Sequence, residues 1–130
     1  MKKSIAILAS VVLATLLSAC GTLSGSASGS LPAKAADGTL VGANGMTLYT
    51  FKKDGKNTGM SECYEQCAAN WPPVTVQADE HPTPDYTQII RMDGSRQWAY
   101  KGQPLYFYAK DAKPGDKLGD GVGGNWNVAK

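Results

Sequence analysis

Along this chain the apolar positions change rhythm twice. From Ile5 to Leu17 they form one run broken only by small or hydroxylated residues, from Gly21 to Ala36 they thin out into Gly, Ser and Ala, and from Asp37 onward they alternate with polar positions. A period of two is the mark of strands with one buried face. Thr39-Leu40-Val41 and Thr47-Leu48-Tyr49-Thr50-Phe51 flank Asn44-Gly45, the dipeptide best suited to two positive φ angles, and so predict a hairpin. Tyr86 to Met92, Arg96 to Tyr100 and Leu105 to Tyr108 are separated by Asp93-Gly94 and Lys101-Gly102, which predicts a three-strand meander. Pro104 cannot donate to a ladder and belongs at a strand start or an edge. Trp126-Asn127-Val128 reads as a last short strand.

One stretch breaks the alternation. Ser61 is suited to an N-cap, Glu62 to a first turn, and Cys63 to Ala69 to about two helical turns that Asn70-Trp71-Pro72-Pro73 would stop. Cys63, Cys67 and Trp71 then share a face, with Trp71 as core anchor. Gln77 to Asp85, holding His81, reads as an exposed loop, and the Gly-rich segment from Pro114 to Asn125 as a long one.

The alternating part contains a repeat. Gly45-Met46-Thr47-Leu48-Tyr49-Thr50-Phe51-Lys52-Lys53-Asp54 and Gly102-Gln103-Pro104-Leu105-Tyr106-Phe107-Tyr108-Ala109-Lys110-Asp111 share the pattern G-x-x-L-Y-x-(aromatic)-x-K-D, and Tyr106 follows Tyr49 by 57 residues. In a strand, Leu48 and Thr50 face one way and Tyr49 and Phe51 the other, and Leu105 and Phe107 are likewise opposed to Tyr106 and Tyr108. The expectation is a structural one, with the rings in a core and Asp54 and Asp111 locking turns by accepting backbone amides. A sharper reading sets the two aromatic stripes across a shared groove that binds a flat or sugar-like ligand.

Composition changes the picture mainly through the first twenty residues. Met1-Lys2-Lys3 and the apolar run form a signal peptide over 1–19, too short to remain as a membrane-spanning helix. Leu17-Ser18-Ala19-Cys20 resembles the lipobox of bacterial lipoproteins, which implies an acylated Cys20 as mature N-terminus. Residues 20–36 are then a flexible tether with a reach of about 20 to 25 Å, and 37–130 a single domain with repeats at about 38–73 and 86–128. With Lys2 and Lys3 set aside, eleven basic residues face eleven acidic ones. A neutral domain gives no electrostatic case for nucleic acid.

Cys63 and Cys67 form an even pair in an oxidising compartment and read first as a disulfide closing a small loop, for which the chain-entropy estimate is about 2 kcal/mol. The alternative is a thiol pair for redox work or for copper, with Met60, Met92 or His81 completing a soft ligand set. His81 is the only histidine, so no His dyad can form within one chain. No nucleophile elbow, phosphate loop or zinc-protease helix occurs, and the expectation is a protein that is not an enzyme and needs no cofactor.

The double Y-x-(F/W/Y)-x-x-D element combines with Cys63-x-x-x-Cys67-x-x-x-Trp71-Pro72-Pro73, Arg91-Met92-Asp93-Gly94-Ser95-x-Gln97-Trp98, Gly102-x-Pro104-Leu105-Tyr106 and Pro114-Gly115-Asp116. Together they resemble the bacterial predicted lipoproteins named for that motif, also called the secreted repeat of unknown function, over residues 38 to 128. The resemblance implies a tandem-unit secreted or lipid-anchored envelope protein and brings no activity with it. The expected fold is mainly β, a small antiparallel sheet domain of two pseudo-repeated hairpin units with one short helical turn carrying C-x-x-x-C. The expected function is a lipid-anchored envelope module that binds an envelope protein or a small ligand. Gly21 after Cys20 points to outer-membrane sorting in a Gram-negative host.

Overall fold

The described residues form seven short strands, six of them within the alternating part of the chain. The computed structural model describes residues 31–130; the predicted signal, Cys20 and the tether up to residue 30 lie outside them. In chain order the elements are β1 (Ala33–Lys34), β2 (Leu40–Val41), β3 (Tyr49–Phe51), α1 (Gln66–Asn70), β4 (Tyr86–Ile90), β5 (Arg96–Tyr100), β6 (Gln103–Pro104) and β7 (Trp126–Val128). The sheets are small and antiparallel: β1 with β2, β3 with β7, and the meander β4-β5-β6. Among the described residues no helix is long and apolar enough to cross a membrane.

The predicted meander is present, with its third strand displaced. Lys101 and Gly102 both take positive φ (48° and 88°), the two-residue turn that matches strand twist, and this brings Gln103–Pro104 back onto β5. Leu105 to Tyr108 was the predicted strand; instead it leaves β5 after Leu105 donates to Trp98 C=O and bridges Tyr49 and Pro73 through Tyr106. The N-terminal hairpin is also reduced. Only Gly45 of the Asn44-Gly45 pair has positive φ. Asn44 instead accepts the Met46 amide on its side chain, leaving a single bridge between Val41 and Thr47. The main partner of β3 is β7, from the far end of the chain. Residues 33–34, placed in the tether by composition, pair with β2.

Cyclic hydrogen bonding ties the strands together. Leu40 N–H donates to Ala129 C=O, Ala129 N–H to Leu48 C=O, and Leu48 N–H to Leu40 C=O, closing a ring of three. Trp98, Val74 and Leu105 close a second ring in the same sense. In each ring two strands come from one repeat and the third from the end of the other. The two repeats are therefore intertwined rather than stacked side by side.

Alternation then fills two cores, one on each side of this layer. Leu40, Leu48, Val74, Trp98, Tyr100, Leu105 and Ala129 form one. Tyr49, Phe51, Cys63, Trp71, Tyr106 and Trp126 form the other. The predicted division of Leu48 and Leu105 from Tyr49, Phe51, Tyr106 and Tyr108 is observed, with both faces buried.

The helical turn starts later than expected. Ser61 is not an N-cap: α1 begins at Gln66, after Glu65 at φ 56°, with no side-chain cap. Ser61 is buried and its hydroxyl serves the core network described below, while Cys63 and Cys67 are joined as a disulfide just before and within α1.

Candidate functional site

The repeated motif residues meet at the centre of the molecule. Tyr49 and Tyr106 exchange both backbone hydrogen bonds, at 2.8 and 3.0 Å. Lys52 N–H donates to Asn125 C=O, and its counterpart Ala109 N–H to Asn70 C=O. These reciprocal bonds define a pseudo-twofold axis between the two tyrosines.

Each tyrosine bonds the aspartate of the other copy. Tyr49 Oη donates to Asp111 Oδ2 at 2.7 Å, and Tyr106 Oη donates to Asp54 Oδ2 at 2.6 Å. The second carboxylate oxygen holds a loop: Asp54 Oδ1 accepts Glu62 N–H and Asp111 Oδ1 accepts Leu118 N–H. The Y-x-(F/W/Y)-x-x-D motif is thus half of a lock completed by the other half. Both aspartates accept a backbone amide, but from eight and seven residues downstream and not from a turn of their own, and the crossing between copies is what a reading of either motif alone misses.

The aromatic rings repeat the symmetry. Phe51 stacks on Trp126 at 4.2 Å, Trp126 on Trp71 at 3.7 Å and 3°, and Trp71 on Tyr108 at 4.1 Å. Tyr49 meets Trp71 edge-on and Tyr106 meets Trp126 edge-on, the arrangement ring quadrupoles favour. The space between the stripes is therefore filled by their own side chains. Only Tyr108 keeps partial exposure, beside a hollow of about 160 Å³ lined also by Asn70, Lys110 and Val122.

Sequence reasoning missed Trp126 as the partner of Trp71, although Asn70-Trp71 and Asn125-Trp126 are a repeated dipeptide. Their spacing is 55 residues rather than 57, so an ungapped superposition on the tyrosines slides past them. Glu62 and Leu118, whose amides the two aspartates hold in the same way, are 56 residues apart, and that offset sets Cys63 against Gly119. A Cβ on Gly119 would stand 2.7 Å from Trp71 and 2.9 Å from Tyr49, so one copy seals the core with a disulfide where the other uses a bare backbone whose N–H donates to Tyr49 Oη.

One side of the lock carries an extension. Arg91, 4 % exposed, donates to Ser61 Oγ, Gln97 Oε1 and the Cys63 carbonyl, and its guanidinium lies over the Tyr64 ring at 4.4 Å. Ser61 Oγ also accepts Cys63 N–H and lies 2.7 Å from Tyr106 Oη. Since the tyrosine proton goes to Asp54, the serine proton goes to the tyrosine. Burial raises both tyrosine hydroxyls above the usual phenol range, with the facing aspartates adding to the effect.

Burial also raises the Asp54 carboxyl, against the lowering pull of Tyr106 and the Glu62 amide. A raised acid holds its proton more tightly when folded, so its contribution to stability is complete below the unfolded value of about 3.9 and is lost as pH rises through the folded value. Asp93 and Asp116 are shifted down, by Ser95 and Lys113, and act in the opposite direction. The difference in unfolding free energy between wild type and Asp54→Asn isolates the buried group. Measured by urea denaturation, it should move in favour of wild type as pH falls from about 7 to about 4; a flat difference would contradict this assignment.

The other candidates are dispersed. His81 is exposed in its loop, Met60 and Met92 are exposed, and both candidate thiols are consumed in the disulfide. Among the described residues no group of three or more His, Cys, Asp or Glu could hold a metal ion. The expected thiol redox alternative has no support in this arrangement, because Cys63 is fully buried.

Comparison with known proteins adds a family. The profile of a family described as a secreted repeat of unknown function matches twice, over residues 32–75 and 87–130. No curated protein and no solved structure matches the chain. The two matches end just past Val74 and Ala129, so each repeat includes the strand it contributes to the other's hydrogen-bonded ring. Covering more than half of its length, they show that the chain belongs to this family of secreted repeats.

Proposed function

We propose that this secreted protein is a lipid-anchored module of the bacterial envelope, held by an acylated Cys20 and sorted to the outer membrane, which acts by binding and not by catalysis. The observation that carries the reading is the fate of the repeated polar groups. Tyr49, Tyr106, Asp54 and Asp111 spend their side-chain hydrogen bonds on one another and on backbone amides inside the core. What remains for function is a surface of loops, a free sheet edge and exposed apolar side chains, which is the chemistry of contact. The anchor reading rests on Leu17-Ser18-Ala19-Cys20 and on Gly21. Acyl chains of this kind add about 0.8 kcal/mol for each buried methylene.

Mass spectrometry of protein isolated from the membrane fraction tests the anchor. The expected mature N-terminus is Cys20 carrying acyl chains, and Cys20→Ala is expected to shift the protein out of the membrane fraction. A mature N-terminus elsewhere would overturn the anchor.

A further inference from the structure

We propose that the outer edge of β4 is the surface through which two copies of this chain pair; this rests on the reading of the protein as an envelope binding module and names the partner. Every backbone N–H and C=O of a strand points either to its neighbour or outward, and each needs a partner. Trp98 N–H donates to Val74 C=O and Trp98 C=O accepts Leu105 N–H, so Trp98 bonds away from β4. Gln88 lies opposite Trp98 in the register and must turn its own N–H and C=O outward. Lys101 N–H to Asp85 C=O and Arg91 N–H to Ser95 C=O mark the inward positions. Asp85, Thr87, Ile89 and Arg91 therefore bond inward, and Tyr86, Gln88, Ile90 and Met92 outward.

The outward groups are closed at both ends and open in the middle. Tyr86 exchanges hydrogen bonds with Thr83, and Met92 N–H donates to Tyr64 Oη. Gln88 and Ile90 carry two N–H and two C=O groups that no other described residue receives. Strand β4 itself, Tyr86-Thr87-Gln88-Ile89-Ile90, has no charged residue, so it lacks the usual guard against edge pairing.

The register follows from which groups are free. An antiparallel pair needs outward residues opposite one another, so Gln88 faces Ile90 of the partner subunit and Ile90 faces the partner's Gln88, with the axis at Ile89. This forms four hydrogen bonds and one continuous six-stranded sheet. Apolar surface adjoins the same edge: Met60, Ile90 and Met92 are 58 %, 67 % and 83 % exposed and, with Tyr64, line a hollow of about 200 Å³. Each copy brings both the hollow and the projecting side chains that can enter its partner's.

Two facts favour a second copy over another occupant. The eleven basic and eleven acidic residues after the signal balance, so like copies do not repel through net charge. Leu31 N–H donates to Glu80 Oε2, and Glu80 C=O accepts Gln88 Nε2. The chain thus enters the fold beside the axis, and with Cys20 only eleven positions before Leu31 two anchored copies can share one bilayer, where anchoring raises the effective concentration.

The test uses the full acylated chain in phospholipid vesicles. Ile89→Cys adds the one free thiol, and mild oxidation should give a cross-linked dimer across the axis. Ile90→Pro in that background removes an outward N–H while sparing the inner ladder; cross-linking should fall at least tenfold with unchanged near-UV circular dichroism. Ile90→Lys with Met92→Lys, which leaves the backbone intact, should do the same. Absence of the cross-link, or its persistence in both edge variants, would overturn the proposal. A cross-link to a different protein alone would overturn self-pairing and leave the binding reading standing.

Discussion

Replacing Trp71 by alanine is expected to cost about 3–5 kcal/mol, the range for emptying a large buried aromatic site. Trp71 has three ring partners, as does Trp126: Trp126 and Tyr108 stack on it and Tyr49 meets it edge-on. The change removes a wall of the aromatic core at the pseudo-twofold axis, and a domain of this size has only about 5–15 kcal/mol of stability to lose. Urea denaturation measures the loss. A second readout is specific to the stack, because indoles 3.7 Å apart and 3° from parallel should give an exciton couplet in circular dichroism. The couplet should vanish in Trp71→Ala and in Trp126→Ala. It should survive in Trp98→Phe, since Trp98 belongs to the other core. A loss below about 1 kcal/mol in Trp71→Ala, well under the range for such sites, with the couplet retained, would contradict the stacked core.

How much of this was legible beforehand depends on which physical signal carried it. Alternation at period two separated Leu48 and Leu105 from Tyr49, Phe51, Tyr106 and Tyr108, because strand geometry leaves side chains no other choice. The β4–β5 hairpin and the Lys101-Gly102 turn were readable for the same local reason. Pairing was not. Asn44-Gly45 promised a hairpin, but β3 takes β7 as its partner, since each repeat sends its last strand into the other's ring and no local pattern encodes that exchange. Ser61 looked like a helix cap because a hydroxyl before an acidic turn commonly is one; here Tyr106, Arg91 and the Cys63 amide engage it first. Tyr49, Asp54, Tyr106 and Asp111 were visible as a repeat, yet a repeat shows only that positions are equivalent. That each tyrosine reaches the other copy's aspartate follows from the antiparallel crossing at Tyr49 and Tyr106.

Arg91→Met should be the next most damaging change, and it separates the two halves of the pseudo-symmetric lock. Asp111 accepts the Leu118 amide and Tyr49 the Gly119 amide, and that half ends there, whereas Asp54 and Tyr106 continue through Ser61 to a buried guanidinium. Methionine can fill the volume, but it leaves the Cys63 carbonyl and Gln97 Oε1 without donors, each orphaned buried group costing about 1–3 kcal/mol. Lysine should rescue little, since a point charge cannot serve three acceptors at the angles of a planar fork. Because Ser61 transmits the arginine's position to Tyr106, Arg91→Met and Tyr106→Phe should be non-additive in urea denaturation, with an interaction energy of about 0.5–3 kcal/mol. The equivalent cycle of Arg91→Met with Tyr49→Phe should be additive, because Tyr49 lies on the other half of the lock. Additivity in both cycles would mean that Arg91 fills space without holding the network. Coupling in the Tyr106 cycle alone would mark the buried arginine as the feature that makes two similar repeats unequal.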